Sequence, residues 1–173
     1  MKSVLISIQP KWCELIASGK KTVEVRKTRP KLEPPFKCYI YCTKDKKGWF
    51  HFGKKKRLDG AVIGEFVCNR IDRRPPHLLI VKEDREKATA GSCLTAREIR
   101  DYVRGNKATY NIADLPDFYC WHISDMVIYA EPKPLSDFNH CGENYHFNPP
   151  ITRPPQSWCY VEGLNDGDKK PIT

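Results

Sequence analysis

Three charged residues close together near the start of the chain are the ones best suited to chemistry. They are Lys21, Glu24 and Arg26, and they fall in or beside residues 22–27, whose β-branched residues and alternating polarity predict a strand. Because side chains of a strand alternate between its faces, the acid and the guanidinium project from the same face. A carboxylate can accept hydrogen bonds or activate water, and a guanidinium offers paired donors to a carboxylate, phosphate or carbonyl oxygen. We therefore interpret this face as the wall of a binding or catalytic site.

The same pattern has two simpler interpretations. An antiparallel strand with one face in water shows the same alternation, in which case Glu24, Arg26 and the neighbouring lysines are solvated. Alternatively, the charged groups form a structural network that seals the sheet and binds nothing. A buried charge is tolerated only when it is paired or hydrogen-bonded. Burial of the acid and the guanidinium beside a hollow is therefore the observation that favours a site.

A short helix precedes this strand and ends at the motif. Residues 3–8 are apolar and predict a first strand. Pro10 suits the first position of a helix over 10–18, because its fixed φ and missing N–H cost nothing there. Gly19 follows at the place where a left-handed residue ends a helix. The predicted helix carries one apolar stripe, formed by Trp12, Leu15 and Ile16.

Most of the remaining chain has the pattern of strands. Gly64, inside the longest of them, marks a bulge or a close approach of another backbone. The predicted strand over 118–130 becomes two strands if the polar pair Ser124 and Asp125 interrupts it. Residues 72–93 look irregular, with a short strand at the apolar run HLLIVK. The predicted strands lie near 37–43, 60–71, 118–130 and 157–162.

A second helix is marked by its own capping residues. Thr95 is a natural N-cap, Glu98 completes a capping box, and Gly105 ends the helix. Many strands with two short helices argue for an α+β fold, as a curved antiparallel or mixed β-barrel of five to six strands with the helices packed at its ends. No linker divides the chain, so we expect one domain over residues 1–162 and a flexible tail over 163–173.

Composition limits the classes of partner. The 173 residues carry a formal net charge of +9, which favours polyanions such as RNA, DNA or nucleotides. No run approaches the roughly 20 apolar residues of a membrane span, so we expect no membrane partner. The start of the chain has the pattern of a strand rather than a signal peptide, and the eight cysteines are expected to be reduced thiols, which together predict a cytoplasmic protein. We expect a monomer or a weak dimer.

Residues 44–58 form a predicted basic loop or hairpin in which cations flank aromatic rings. Such a segment suits a single strand of nucleic acid, with charges on the phosphates and rings on the bases. In the plainer alternative, the rings pack on the sheet and the lysines are solvated. The predicted nucleic-acid contacts are Lys46, Lys47, Trp49, Lys54, Lys55, Lys56 and Arg57.

Two tryptophans are candidates for stacking on a base, an interaction worth roughly 1–3 kcal/mol. Trp121 lies in the predicted strand 118–130, and Trp158 lies in the last strand. The alternative for each ring is a place in the hydrophobic core.

One loose group of residues has the side chains of a metal site. It lacks the paired ligand spacing that is typical of zinc, so we expect neither a metal nor a cofactor. The group consists of His140, Cys141, His146 and Cys159.

The motif and its surroundings resemble a known family. Gly19, Lys21, Glu24 and Arg26 spell G-x-K-x-x-E-x-R, which is similar to the signature of the ASCH domain, a branch of the PUA-like superfamily. The segments L-I-S-I-Q-P-K-W, V-I-G-E-F and Y-x-W-H-I-S extend the resemblance over most of residues 3–162, and the later segments look like small ASCH proteins of bacteria and phages. The resemblance implies a barrel with a cleft between the first helix and the motif strand, and an association with RNA, modified nucleotides or modified bases.

Two functions are compatible with this resemblance, besides that of an interaction protein with a vestigial cleft. In the first, the cleft binds one base or nucleoside of RNA or a modified nucleotide. In the second, the protein hydrolyses an acylated nucleoside such as 4-acetylcytidine, or an RNA phosphodiester, with Lys21 and Glu24 as the catalytic pair. A small bacterial 4-acetylcytidine amidohydrolase resembles this chain in the motif, although its proposed threonine nucleophile aligns with Glu24. The predicted ligand-binding residues are Gly19, Thr22, Arg26, Trp121 and Trp158.

Overall fold

A computed structural model of the protein describes residues 1–44, 59–106, 108, 111–142 and 148–164. The predicted nucleic-acid contacts of the basic loop therefore lie outside the described residues, as do His146 and all but the first two residues of the predicted tail. Those loop residues are Lys46, Lys47, Trp49, Lys54, Lys55, Lys56 and Arg57.

The strands of the described residues form one mixed sheet. In chain order they are β1 (Lys2–Ile8), β2 (Val23–Arg26), β3 (Phe36–Cys42), β4 (Ala61–Arg74), β5 (Phe118–Lys133) and β6 (Trp158–Glu162). The order across the sheet is β2-β5-β4-β3-β1-β6. β1 runs parallel to β3, and every other neighbouring pair is antiparallel.

Three helices accompany the sheet in this part of the chain. They are α1 (Pro10–Ala17), α2 (Lys82–Thr89) and α3 (Ala96–Arg104), with short 3₁₀ turns at Pro76–Leu79, Ile112–Asp114 and Leu135–Asp137. This combination confirms the predicted α+β class with five to six strands. No described helix is both long enough and apolar enough to cross a bilayer.

The two faces of the sheet are covered by different parts of the chain. On one face, called the inner face below, α1 packs against a core drawn from β1, β3, β4 and β5, with Ile6, Ile40 and Trp121 fully buried. On the opposite face, Ile99 and Val103 of α3 pack against the two valines of β2. The separation of these clusters places the alternate residues of β2, Glu24 and Arg26, on the inner face.

The predicted barrel is not closed by backbone hydrogen bonds within the described residues, because β2 and β6 are the two ends of the sheet. Side chains join these ends instead. Trp158 Nε1–H donates to Thr28 Oγ1 over 3.0 Å, and the backbone N–H of Lys31 donates to the Tyr160 hydroxyl over 2.7 Å. Arg26 adds a third connection, described below. The seam between the end strands is therefore closed by polar side chains.

The long strands β4 and β5 contain the irregularities that their sequences indicate. β5 is continuous through the polar pair at Ser124, but Asp125 has a φ of 48° and the pairing of β4 with β5 shifts register nearby. At Gly64, a Cβ atom would overlap the backbone carbonyl of Val127. The predicted close approach at Gly64 is confirmed, and β5 bends where the sequence suggested a break.

One prediction about the middle of the chain is wrong. The run HLLIVK is not a strand: Pro76–Leu79 forms a 3₁₀ turn, and Ile80 and Val81 are exposed before α2 begins. Within α2 only Ala88 is buried. Because this helix has almost no apolar stripe, hydrophobic periodicity contained no signal for it.

The capping box of α3 yields a stability prediction. The Thr95 hydroxyl accepts from the Glu98 N–H over 3.2 Å, and the Glu98 carboxylate accepts from the Thr95 N–H over 2.8 Å. Replacing Thr95 by alanine removes the first bond, so we expect a loss of about 1 kcal/mol in the free energy of unfolding. Thr95→Ser keeps a hydroxyl and should match the wild type. Urea unfolding of both variants measures the difference, and equal stability of the alanine and serine variants would contradict a capping role.

Candidate binding cleft

The turn after α1 delivers the charged motif to the inner face. α1 ends at Ala17, and Gly19, two residues further on, has the left-handed φ of 72° expected there. The N–H of Lys21 donates back to the carbonyl of Leu15 over 2.9 Å. The carbonyl of Gly91 then accepts from the N–H groups of both Thr22 and Val23, at 2.8 and 2.9 Å. The motif is thus held between a helix end and a distant turn.

Lys21, Glu24 and Arg26 form one buried chain of charges. Lys21 Nζ lies 3.3 Å from Glu24 Oε2, and Arg26 NH2 lies 3.0 Å from Glu24 Oε1. The three residues are only 2%, 7% and 7% exposed. This arrangement differs from a solvated edge strand, because a carboxylate shared by two cations satisfies the pairing that buried charges require.

The Lys21 ammonium has no donor to spare. It donates to the carbonyl of Val23 over 2.8 Å and to the carbonyl of Ser92 over 2.6 Å, and the Glu24 carboxylate is its third partner. An ammonium group has three donors, so its capacity is filled by these partners. In this arrangement Lys21 orients Glu24 and fastens the turn at Ser92 to the motif.

Arg26 joins the network to the far end of the sheet. Its NH2 group donates to the carbonyl of Ser7 in β1 over 2.7 Å, and its NH1 group donates to the hydroxyl of Ser157, just before β6, over 3.3 Å. Its Nε–H is buried and has no partner in the part of the chain that the structure describes. A buried donor without a partner is costly to the fold, and since this nitrogen has almost no accessible surface, it is not an atom that a ligand in the cleft can touch.

These groups line a cleft of about 810 Å³. The lining includes Lys11 and Trp12 of α1 and Asp101 and Tyr102 of α3. Glu24 and Arg26 of β2, an end strand of the sheet, belong to the same lining. The volume lies within the range of about 300–1,000 Å³ that is typical of small-molecule sites.

Tyr102 is a lining residue that the sequence did not reveal. Although 38% of this residue is exposed, its pKa is raised, mainly by burial, and the Arg26 charge acts against the increase. Lys27 Nζ lies 5.1 Å from the centre of its ring. The phenol therefore stays protonated near neutral pH and supplies both a ring face and a donor to the cleft. Its helix is recognisable from the capping box, but nothing local indicates that Tyr102 faces the motif.

Trp12 also lines the cleft, although the sequence indicated only an apolar helix stripe. The ring is half-buried, and it packs against the core of the inner face. Lys11 Nζ lies 4.1 Å from its centre and Lys21 Nζ lies 5.3 Å from it. Trp12 is thus an aromatic surface next to the charged floor of the cleft.

The two tryptophans predicted to stack on a base do not line the cleft. Trp121 is fully buried, with Phe36 and Trp158 against its ring, so no ligand reaches it in this arrangement. Trp158 is half-buried and donates to Thr28, which does line the cleft. The predicted stacking role is corrected to a core role for Trp121 and to a bracing role at the seam for Trp158.

Gly19 and Thr22, which we predicted to contact a ligand, also lie outside the lining. Both are exposed. Gly19 provides the left-handed turn, and Thr22 lies against the turn at Gly91, where an added Cβ would overlap its hydroxyl. Both residues therefore support the motif strand and are not part of the cleft lining.

The described residues contain no group of three His, Cys, Asp or Glu side chains placed to hold a metal ion. His140 and Cys141 use their backbone N–H groups to pair with Pro149 and Tyr160. In this way they cover the outer edge of β6.

A sequence profile of the ASCH domain matches residues 6–134. The protein therefore belongs to the ASCH domain family. No curated protein matches the sequence.

Several solved structures share the fold at low sequence identity. The ASCH protein of Zymomonas mobilis aligns with a TM-score of 0.56 at 20% identity, over 96% of this chain and 90% of that one. A serine-to-alanine variant of the Zymomonas mobilis protein gives a TM-score of 0.60 at 20% identity, over 92% and 88%. A tyrosine-to-phenylalanine variant gives 0.56 at 21%, over 94% and 91%. At such identities the likeness establishes the fold alone.

The buried charge network predicts strong coupling between two side chains. Lys21→Met removes the ammonium but keeps the volume, so we expect a loss of about 3–5 kcal/mol in the free energy of unfolding, because Glu24 and two carbonyls lose a partner. In the double variant Lys21→Met with Glu24→Gln, the loss should fall short of the sum of the single losses by about 1–3 kcal/mol. A double-mutant cycle in urea measures this coupling.

The matched control is Lys20→Met at the exposed neighbouring position, which should change stability by less than about 0.5 kcal/mol. Strictly additive losses for Lys21 and Glu24 would show that the two side chains do not interact.

Proposed function

We propose that the cleft binds a single base of an RNA strand or of a modified nucleotide. The observation that carries this proposal is the pairing of Glu24 with Arg26, 3.0 Å apart, in the lining of an 810 Å³ cleft. Membership of the family supports the ligand class, since its PUA-like fold is an RNA-binding fold. A planar ligand with donor and acceptor atoms side by side on its edge would match this pair.

The polar side chains of the cleft lining supply both a hydrogen-bond donor and a hydrogen-bond acceptor, which recognition of a base edge requires. Arg26 supplies a fixed donor, and Glu24 supplies acceptor lone pairs beside it, 3.0 Å from the guanidinium. Bases present donors and acceptors side by side on their edges, and Glu and Arg are common partners of these groups. The network at Lys21 holds Glu24 in place, so this polar pair is organised before a ligand arrives.

The walls of the cleft suit the flat faces and the phosphate of a nucleotide. Trp12 on α1 and Tyr102 on α3 offer ring surfaces, and stacking of one base is worth roughly 1–3 kcal/mol. Lys11 and Lys27 belong to the same lining and are exposed, as suits contact with a phosphate. From the sequence, Trp121 and Trp158 were the candidates for stacking. In this proposal Trp12 and Tyr102 take that role.

Hydrolysis of an acylated nucleoside or of an RNA phosphodiester, with Lys21 and Glu24 as acid and base, stays a prediction. Glu24 lies within reach of a ligand in the cleft, as a general base must. However, Lys21 Nζ already donates to two carbonyls and to Glu24, so moving a proton from it would disrupt the turn at Ser92. This geometry favours binding as the primary function and an orienting role for Lys21.

Substitution of Arg26 tests the proposed function. Arg26→Lys keeps a positive charge but removes the Nε–H donor and the fork. We expect affinity for the ligand to fall at least about tenfold, because hydrogen bonds from a charged group contribute roughly 1.5–3 kcal/mol. Isothermal titration calorimetry with the four ribonucleosides, 4-acetylcytidine and a short single-stranded RNA measures this change.

The control is Arg73→Lys, at a position that is exposed and does not line the cleft. Thermal unfolding of each variant checks that it is folded. Binding of the panel that is equal for the wild type and the Arg26 variant, or no binding by the wild type at all, would contradict the proposed function.

A further inference from the structure

A second cavity adjoins the cleft. It has a volume of about 630 Å³ and shares three lining residues, Ser7, Thr43 and Gln156, with the cleft. β1 and β3 are parallel neighbours, and the chain leaves both of them at this place, where the Thr43 N–H donates to the carbonyl of Ile8 over 2.9 Å. Because they share these residues, the two cavities lie side by side near the ends of these strands.

The floor between the two cavities is fixed to the charge network of the cleft. The Ser7 hydroxyl donates to the carbonyl of Pro155 over 2.6 Å, and its N–H donates to the carbonyl of Ser157 over 2.9 Å. The Ser7 carbonyl accepts from Arg26, as described above. One residue thus connects the guanidinium that faces the cleft to the proline segment that lines the second cavity.

The second cavity differs from the cleft in its chemistry. Its walls are largely apolar, and among its described lining residues Lys44 is the one charged side chain. The stem of Lys44 lies against Gly60, where an added Cβ would come within 3.2 Å of two of its carbons. The apolar part of the lining consists of Tyr41, Pro134, Leu135, Pro154 and Pro155.

We propose that the second cavity holds the nucleotide next to the one whose base lies in the cleft, so that the ligand is a single-stranded oligonucleotide of at least two units rather than a free nucleoside. This inference rests on the proposed function. The Lys44 ammonium in the lining suits a phosphate, and apolar walls suit the face of a base. Each cavity lies within the size range of a site for one small molecule, and their shared floor allows one chain to occupy both.

Comparison of ligands of one and two units tests this inference. The affinities of the four ribonucleosides and of the four homodinucleoside monophosphates are measured by calorimetry for the wild type. We expect at least one dinucleoside monophosphate to bind about tenfold or more tightly than its nucleoside, because the second unit adds a charged contact and stacking.

Two variants test whether the gain in affinity of the dinucleoside comes from contacts in the second cavity. Lys44→Ala should reduce dinucleoside affinity by about tenfold and lower the slope of log affinity against log salt by about 1, with nucleoside affinity within twofold of the wild type. Thr152→Trp, at an exposed position that lines only the second cavity, should block the second unit in the same selective way. The control Lys82→Ala removes an exposed lysine of α2 that lines neither cavity, and it should change neither affinity.

The outcomes separate this inference from the proposed function. If nucleosides bind and dinucleosides bind no more tightly, the second cavity holds no second unit and the inference is wrong while the proposed function stands. The inference is also wrong if Lys44→Ala and Thr152→Trp both keep the full preference for the dinucleoside. If the wild type binds neither class of ligand, the proposed function fails and the inference fails with it.

Discussion

The structure of the cleft depends on the buried ion pair between Glu24 and Arg26. A short end strand would normally leave its free edge and one face in water, and here two charged side chains of β2 lie almost fully buried instead. Arg26 reaches Ser7 in β1 and Ser157 before β6, so the pair ties together the two ends of an otherwise open sheet. Removing Glu24 would leave two buried cations without their shared carboxylate, which is the costly outcome for an ion pair.

This connection also explains why the site lies where it does. A sheet closed by a continuous hydrogen-bond ladder has no gap along its seam, whereas a seam closed by side chains leaves space between them. The space is bounded by α1 and α3, and its polar floor is the same guanidinium that closes the seam. The Glu24–Arg26 pair that helps to close the seam is therefore also part of the lining of the cleft.

Local patterns predicted the parts of the structure that local contacts determine. The glycine stop at Gly19, the alternation of β2 and the capping box at Thr95 depend on residues a few positions apart, and each is present. Alternation cannot say which face of a strand is inside, so the sequence left Trp121 open between the cleft and the core, where the structure places it. The contact of Arg26 with Ser157 joins residues 131 positions apart, and Tyr102 reaches the cleft only through packing of α3. Both features depend on how distant parts of the chain pack together, which cannot be read from the spacing of residues in one sequence.

A crystal structure of the protein soaked with a mixture of the four ribonucleosides tests the central claim most directly. We expect Glu24 and Arg26 to be paired and buried in the seam, with a planar ligand in the cleft and one of its acceptor atoms about 3 Å from a terminal nitrogen of the Arg26 guanidinium. A guanidinium turned out into solvent, or a nucleoside bound only at a place away from these two side chains, would contradict it.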